Sequence, residues 1–198
     1  MIPMKLNIDE LMAELKSIHE DISLVSTEKI VVAHWVRLKC RFGCQGYGRH
    51  LGCPPYTPTP DEMKDIIKEY ELAVIARFNV APNPEVSPKH IHHHLWDSIT
   101  KVHETIFVLE RRAFLLGCYK AFGMNALPCT YCETCIPEER EVINPYDLRH
   151  CRHKDKARPS MEACGIDVIK TVRNAGYEAE VLRSYQDRVE FFGMVLLD

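Results

Sequence analysis

The densest group of reactive side chains in the sequence is a run of three cysteines, Cys129, Cys132 and Cys135. With C-x2-C-x2-C spacing, successive turns of one loop can each reach a different iron of a cubane iron–sulfur cluster, and the bacterial ferredoxin motif begins in the same way. That motif has its fourth cysteine nearby, whereas the next cysteines here are Cys151 and Cys164. We favour Cys151 because polar residues flank it. Cys164 lies on an apolar helical stripe, where a buried structural thiol is the more common role.

A second set, Cys40, Cys44 and Cys53, has C-x3-C-x8-C spacing, and Pro54 follows its third cysteine as in the ferredoxin motif. Glycines within this segment allow the backbone to fold tightly around a bound group. Three thiolates would leave one iron open, and open coordination distinguishes a metal site that does chemistry from a structural one. The spacing leaves the fourth ligand undecided among Cys118, His34, His50, solvent and a substrate.

Zinc is the alternative metal at both sites. Zinc sites usually combine two C-x2-C pairs, or one such pair with histidines, so a third cysteine three residues after the second favours iron–sulfur at Cys129–Cys135. For the Cys40–Cys53 segment, a zinc site or a glycine-rich turn with buried thiols remains the alternative. The chain has 9 cysteines and no secretory signal, and in a reducing compartment such cysteines are more often metal ligands than disulfides.

Lysine and arginine side chains flank both cysteine sets. Cations lower the pKa of nearby thiols and favour metal binding, although each one taken alone is more often a solvated surface charge. The basic run near Cys151 is also suited to docking an acidic redox partner. The basic residues are Arg37, Lys39, Arg41 and Arg49 around the first set, and Arg149, Arg152, Lys154, Lys156 and Arg158 around Cys151.

The histidines His90, His92, His93, His94 and His103 are interpreted as surface residues, because no HExxH pattern or carboxylate partner accompanies them. The sequence also contains no nucleophile-elbow, P-loop or dinucleotide-binding motif. We therefore assign no catalytic residue.

Secondary-structure patterns place the two cysteine-rich segments in long loops, at about 39–60 and 128–159. Hydrophobic periodicity, capping residues and β-branched runs predict an α+β fold with a mixed sheet and flanking helices. The predicted helices cover about 7–22, 59–70, 87–116 and 160–176, and the predicted strands cover 29–38, 72–80, 119–127, 178–182 and 189–197, the last two joined by a turn near 184–187.

Composition limits the classes of function. A chain of 198 residues with 46% hydrophobic and 27% charged residues predicts a single domain over 1–198. The net charge of −3 gives no basic surface for nucleic acid. No apolar run reaches the ~18 residues of a membrane span, and the N-terminus lacks a signal-peptide core. We therefore expect a cytoplasmic protein that binds neither nucleic acid nor membrane.

The motifs together are similar to those of a prokaryotic family of predicted metal-binding proteins, domain of unknown function 2284. They are Cys40-x3-Cys44-x2-Tyr47-x5-Cys53-Pro54-Pro55, then Cys129-x2-Cys132-x2-Cys135, then Cys151, and the segment 157–168 that contains Cys164. The resemblance spans about 39–176. It implies metal binding, fits iron–sulfur clusters in anaerobic prokaryotes, and carries no agreed reaction. It implies the seven motif cysteines as ligands and leaves Cys118 and Cys164 peripheral. For 158–168 it leaves two roles, a helix cap at Ser160 or the orientation of hydrogen bonds around Cys151.

Three functions are consistent with these patterns. The leading one is a protein with one or two 4Fe–4S clusters that passes electrons to a partner enzyme. The second is an enzyme or activating factor whose three-cysteine cluster binds a small molecule at an open iron, with Tyr47, Arg49 and His50 as the nearest polar groups. The third is a zinc-stabilised interaction module.

Overall fold

Four antiparallel strands form the central sheet in the part of the chain that the structure describes. They are β1 (Ile22–Ser26), β2 (Leu72–Val80), β3 (Phe122–Met124) and β4 (Val189–Leu197), in the spatial order β1-β2-β4-β3. The structure is a computed structural model, and it describes residues 7–80, 95–140, 148–181 and 189–198. The strands predicted at 72–80 and 189–197 are confirmed, and the extended segment predicted at 119–127 contains β3.

Helices flank this sheet, which confirms the α+β class. Within the described ranges they are α1 (Ile8–Ile18), α2 (His34–Gly43), α3 (Pro60–Ile67), α4 (Trp96–Leu115), α5 (Ile136–Glu139) and α6 (Val168–Asn174). All pairings between these four strands are antiparallel, whereas the sequence pattern predicts a mixed sheet. The predicted start of α3 is confirmed, since Thr59 and Glu62 form a capping box around Pro60.

Both faces of the sheet are covered, so the core has two halves. Along β2, Val74 and Ala76 face the half that contains α1 and α4, while Ala73 and Ile75 face the half that contains α3 and α6. Successive side chains of a strand point to opposite faces, so a strand covered on both sides must be apolar at nearly every position. This explains why the sequence of β2 is a near-continuous apolar run, interrupted only by Arg77 and Asn79.

The strand predicted at 29–38 is wrong. Residues 34–43 form α2, and the strand of this region is β1, whose first residue, Ile22, the sequence pattern assigns to the end of the first helix. That helix ends at Ile18, and His19 is already extended. The β-branched residues before α2 supply only an isolated bridge, between Val32 and Ile166. Their strand propensity is real, but β structure depends on the neighbouring chain as well as on propensity.

Two further predictions need correction. The helix predicted at 160–176 is divided into a short 3-10 turn, Glu162–Cys164, and α6, because Gly165 between them has a left-handed φ of 84°. The Ser160 hydroxyl accepts a bond from the Ala163 N–H at 3.2 Å, the N-cap position of the 3-10 turn is Met161, and Asp167 caps α6. Residues 178–181 do not form the predicted strand.

Several predictions fall on residues outside the described ranges. They are the start of the long helix at 87, the histidines His90, His92, His93 and His94, and the turn at 184–187. The described part of that helix is α4, which ends at Leu115, close to the predicted end. Among the described helices, none is both long enough and apolar enough to cross a membrane.

We predict that Gly193→Ala destabilises the fold by about 1–3 kcal/mol, a typical cost of overpacking a core. A Cβ at Gly193 in β4 would lie 2.5 Å from side-chain carbons of Ile106 on α4. Gly43→Ala is the matched control, because a Cβ there meets nothing within 4 Å. Urea denaturation followed by circular dichroism measures both variants. Equal stability of the two would show that α4 does not pack this closely on the sheet.

Candidate metal centre

Polar side chains on one side of α4 hold the chain that leads from β3 into the Cys129 loop. Each contacts a different point of the segment 123–130, so α4 fixes the loop at intervals along its length. The contacts are the Gly123 N–H donating to Glu110 Oε2 at 2.7 Å, His103 Nε2 donating to the Ala126 carbonyl at 2.9 Å, and Thr100 Oγ1 with Thr130 Oγ1 at 2.7 Å. His103 is 1% exposed, so its interpretation as a surface histidine is wrong.

The structure brings the C-x2-C-x2-C cysteines together with Cys151. Burial raises the pKa of the Cys129 thiol to about 12, and the neighbouring thiols of Cys151, Cys135 and Cys132 add to the increase. The pKa of Cys151 is also raised, by burial first, with Cys132 contributing. These four thiols interact with one another electrostatically, so they are the candidate metal ligands of this region.

Cys164 lies elsewhere. Burial raises the pKa of the Cys164 thiol to about 12, and the one cysteine among the causes of this shift is Cys40. Cys164 is 1% exposed and packs in the core beneath α3. Of the two candidates for fourth ligand of the Cys129 set, Cys151 is therefore the one placed among its thiols.

Backbone N–H groups point at several of these sulfurs. The N–H of Tyr131 stabilises the thiolate of Cys129, that of His153 stabilises Cys151, and those of Leu51 and Ile136 stabilise Cys135. Each of these bonds opposes the effect of burial on the thiol pKa. Hydrogen bonds to sulfur are also a main determinant of the reduction potential of an iron–sulfur cluster.

Arg152, which follows Cys151 in the chain, contacts the loop that contains Cys132 and Cys135. Its guanidinium pairs with Glu139 at 2.6 Å, donates to the Thr134 carbonyl at 2.9 Å and bonds to the Cys132 thiol. Lys156 lies nearby, with Nζ 4.3 Å from the centre of the Tyr131 ring. The sequence indicates only a basic run around Cys151, and the structure singles out Arg152 as the cation that touches a motif cysteine.

The second cysteine set lies at the C-terminal end of α2. Cys40 is in the last turn of α2, Cys44 is its C-cap, and Cys53 follows in the loop. Burial raises the pKa of Cys53, and the thiols of Cys44 and Cys40 contribute. Cys44 is exposed, and its sulfur accepts a bond from the Gly46 N–H at 3.4 Å. The three thiols therefore adjoin one another and reach solvent at Cys44.

Among the proposed fourth ligands, His50 is the one beside this set. A Cβ at Gly46 would lie 3.4 Å from the Cys53 sulfur and 3.5 Å from His50 Cδ2, so both side chains border the same glycine. Burial lowers the pKa of His50, which favours the neutral form that binds metals. His34 instead bonds to Asp61 at 3.1 Å, and Cys118 is buried in the core half that contains α4.

The two cysteine sets are neighbours. Cys53 interacts electrostatically with Cys129 and Cys135 as well as with its own set. A Cβ at Gly52 would lie 4.0 Å from the Cβ of Cys129 and 3.5 Å from the Arg158 carbonyl oxygen. Position 52 therefore lies where the loop after α2 packs against the Cys129 loop and the segment after Cys151. Sequence spacing does not reveal that the sets share one region.

The segment 158–168 joins both loops to the sheet. Ser160 forms a β-bridge with Asn125, next to β3. The Ala163 carbonyl accepts bonds from Arg37 at 2.9 Å and from Thr57 at 2.8 Å. The segment therefore anchors α2 and the loop after Cys53, whereas the helix cap expected at Ser160 is wrong because α6 is capped by Asp167.

A buried ion pair completes this framework. Arg158 donates two bonds to Glu110, from Nε at 2.7 Å and from Nη2 at 2.6 Å, and the two side chains are 16% and 11% exposed. Glu110 also accepts the Gly123 N–H, so it links α4, β3 and the segment after Cys151. The guanidinium lies between the rings of Phe107 and Phe122.

Within the described ranges, no three His, Cys, Asp or Glu side chains lie close enough together to hold one metal ion. Four thiolates around a single zinc, each about 2.3 Å from it, would be about 3.8 Å apart. A cubane cluster binds each thiolate through a different iron and so takes donors that are farther apart.

Comparison with known proteins places the chain in a family of predicted metal-binding proteins. The sequence model of the predicted metal-binding protein family DUF2284 matches residues 23–197. The chain belongs to the DUF2284 family. No curated protein and no solved structure matches it. The matched range contains all nine cysteines, and the family is described as predicted metal-binding proteins without a stated metal or ligand set.

We predict that Arg158→Met lowers the free energy of unfolding by about 3–5 kcal/mol, because it leaves the Glu110 carboxylate buried without its cation. Arg112→Met is the matched control. Arg112 is also paired with a glutamate, Glu14, but both side chains are about 40% exposed, so its loss should cost less than about 1 kcal/mol. Urea titration of both variants measures the difference, and similar losses would contradict the structural role of the buried pair.

We predict that His103 makes stability fall below about pH 6.5. Burial lowers the pKa of His103 from its ordinary value of 6.5. The unfolded chain therefore takes up a proton that the folded chain does not, and unfolding becomes easier as pH decreases. His103→Gln retains a donor for the Ala126 carbonyl and should remove about 1 kcal/mol of the loss between pH 7.5 and 5.5. Part of the loss should remain, because the pKa of His50 is lowered too.

Urea unfolding at several pH values tests this prediction, with the exposed His34→Gln as control. Identical pH profiles for His103→Gln and the parent protein would contradict it.

Proposed function

We propose that the chain holds a 4Fe–4S cluster on Cys129, Cys132, Cys135 and Cys151, and a second at Cys40, Cys44 and Cys53, and transfers electrons to a partner protein. The observation that carries the proposal is the grouping of four thiols around the C-x2-C-x2-C loop, with backbone N–H groups directed at their sulfurs. When bound, such clusters accept and release single electrons.

The residues around the thiols are suited to holding a negatively charged cluster. Burial keeps the thiols protonated in the metal-free protein, so ligation must displace protons. The N–H donors and Arg152 then stabilise the charge on sulfur. The buried Thr100–Thr130 contact and the Arg158–Glu110 pair hold the loops in place. Rigid ligands favour electron transfer because little rearrangement accompanies a change of charge.

The partner that we propose is an acidic redox protein. On α2, Trp35, Leu38 and Phe42 are exposed, and their spacing places them on one side of the helix. Lys39 and Arg41 lie beside them, with their cationic groups over the Trp35 and Phe42 rings. An apolar stripe flanked by cations, next to Cys40 and Cys44, fits an acidic partner with an apolar centre. All nine cysteines are free thiols, in keeping with a reducing, cytoplasmic location.

A second candidate function is an enzyme or activating factor that uses the three-cysteine site. Its support is the exposure of Cys44 together with the position of His50 beside Cys53. Three thiols and one replaceable ligand would leave an iron accessible to a small molecule.

We predict that anaerobically purified protein contains about eight irons and eight acid-labile sulfides per chain, as two cubane clusters require. Cys151→Ala should lose about half of both. Cys164→Ala and Cys118→Ala are the matched controls, since both thiols are buried and neither contributes to the raised pKa values of Cys129, Cys135 and Cys151, and both variants should keep the full content. Metal analysis, sulfide analysis and electron paramagnetic resonance of the reduced protein provide the readouts.

Zinc without labile sulfide would overturn the redox proposal in favour of a zinc-stabilised module. Full cluster content in Cys151→Ala with loss in Cys164→Ala would overturn the ligand assignment alone.

A further inference from the structure

A cavity of about 350 Å³ adjoins the Cys129 thiol group. Cys129, Cys135 and Cys151 line one side of it, while Met63 of α3, Met124 of β3 and Leu196 of β4 line another. These last three side chains are at most 2% exposed, so they belong to the rigid core. The cavity therefore connects the candidate cluster site with the apolar interior beneath the sheet.

We propose that this cavity binds a small, uncharged, apolar molecule, of the size of one aromatic ring or a short hydrocarbon chain, in contact with the cluster held by Cys129, Cys135 and Cys151. The contact with a cluster rests on the function proposed above, whereas the ligand pocket itself depends only on the fold.

The residues that line the cavity favour an uncharged ligand. Two hydroxyl groups that line the cavity already have partners: the Thr57 hydroxyl donates to the Ala163 carbonyl at 2.8 Å, and the Tyr56 hydroxyl donates to the Gly48 carbonyl at 3.4 Å. The Arg158 guanidinium is neutralised by Glu110. A charged ligand would lose its hydration without gaining a counter-ion, which is costly in an apolar site.

The size of the ligand follows from the volume. An apolar protein cavity of roughly 150 Å³ stays dry and binds benzene. The 350 Å³ here exceed that volume about twofold. With a cluster bound at the cysteine end, the remaining apolar part suits one ring-sized group.

Partly exposed aromatic residues at the rim of the cavity give a ligand access from solvent. Tyr56, Tyr70 and Phe122 line the cavity and are only partly buried. Voids larger than a water molecule are few in close-packed interiors, because each one forfeits packing contacts. An apolar void of this size beside a group of reactive thiols, with an aromatic rim, is therefore typical of a binding site.

Toluene is the test probe, with benzoate as a charged probe of similar size. We expect saturable toluene binding by isothermal titration calorimetry, with benzoate at least tenfold weaker. Ile66→Trp places a large side chain in the cavity from α3 and should weaken toluene binding at least tenfold. Lys64→Trp is the matched control on the same helix, because Lys64 does not line the cavity, and it should bind normally. In the iron-loaded protein, toluene should also change the electron paramagnetic resonance spectrum of the reduced cluster.

The outcomes separate the two proposals. Absence of saturable toluene binding, or equal binding by both tryptophan variants, overturns the ligand pocket whatever metal the protein holds. Toluene binding that Ile66→Trp abolishes, in protein that lacks iron and sulfide, supports the pocket and refutes the cluster. Binding with an unchanged cluster spectrum overturns the proposed contact between ligand and cluster.

Discussion

The buried ion pair between Glu110 and Arg158 is the constraint on which the metal-binding region depends. Glu110 belongs to α4, one of the two helices that cover one face of the sheet, and Arg158 follows the cysteine loop that contains Cys151. The same carboxylate binds the backbone of β3. A charge this deeply buried is tolerated only when its partner is fixed, so the chain on both sides of Arg158 has little freedom.

From this pair outward, polar contacts position the thiols. α4 holds the segment that leads to Cys129, and the Ser160 bridge aligns the following segment beside it. The Ala163 carbonyl then anchors α2, which carries Cys40, and the loop after Cys53. The two cysteine sets are therefore held by one framework.

Burial has opposite consequences for the free and the metal-bound thiols. In the free protein it raises the thiol pKa values, so the thiols are neutral and their proximity costs little. In the metal-bound protein the same burial strengthens the attraction of sulfur for backbone N–H groups and for Arg152. The low-polarity surroundings that disfavour thiolates thus also make a bound cluster sensitive to each hydrogen bond. The adjoining apolar cavity extends these surroundings and would let an uncharged ligand alter them.

The sequence alone determines the chemistry and the elements with strong local signals. The spacing of Cys129, Cys132 and Cys135 indicates metal ligation, the capping box at Thr59 marks the start of α3, and the near-continuous apolar run marks β2. Local patterns fail at β1 and α2, where propensity competes with the pairing of distant strands, and at 160–176, where Gly165 interrupts the helix.

Tertiary structure decides which thiols meet. Cys151 joins the Cys129 set, and Cys164 lies near Cys40. Both residues follow Cys135 closely enough in sequence that either one could have been the fourth ligand of the Cys129 set. The burial of His103, the pairing of Arg158 with Glu110 and the cavity beside the thiols also arise only in the folded chain. The physical reason is that each joins residues far apart in sequence, and spacing along the chain carries no information about such contacts.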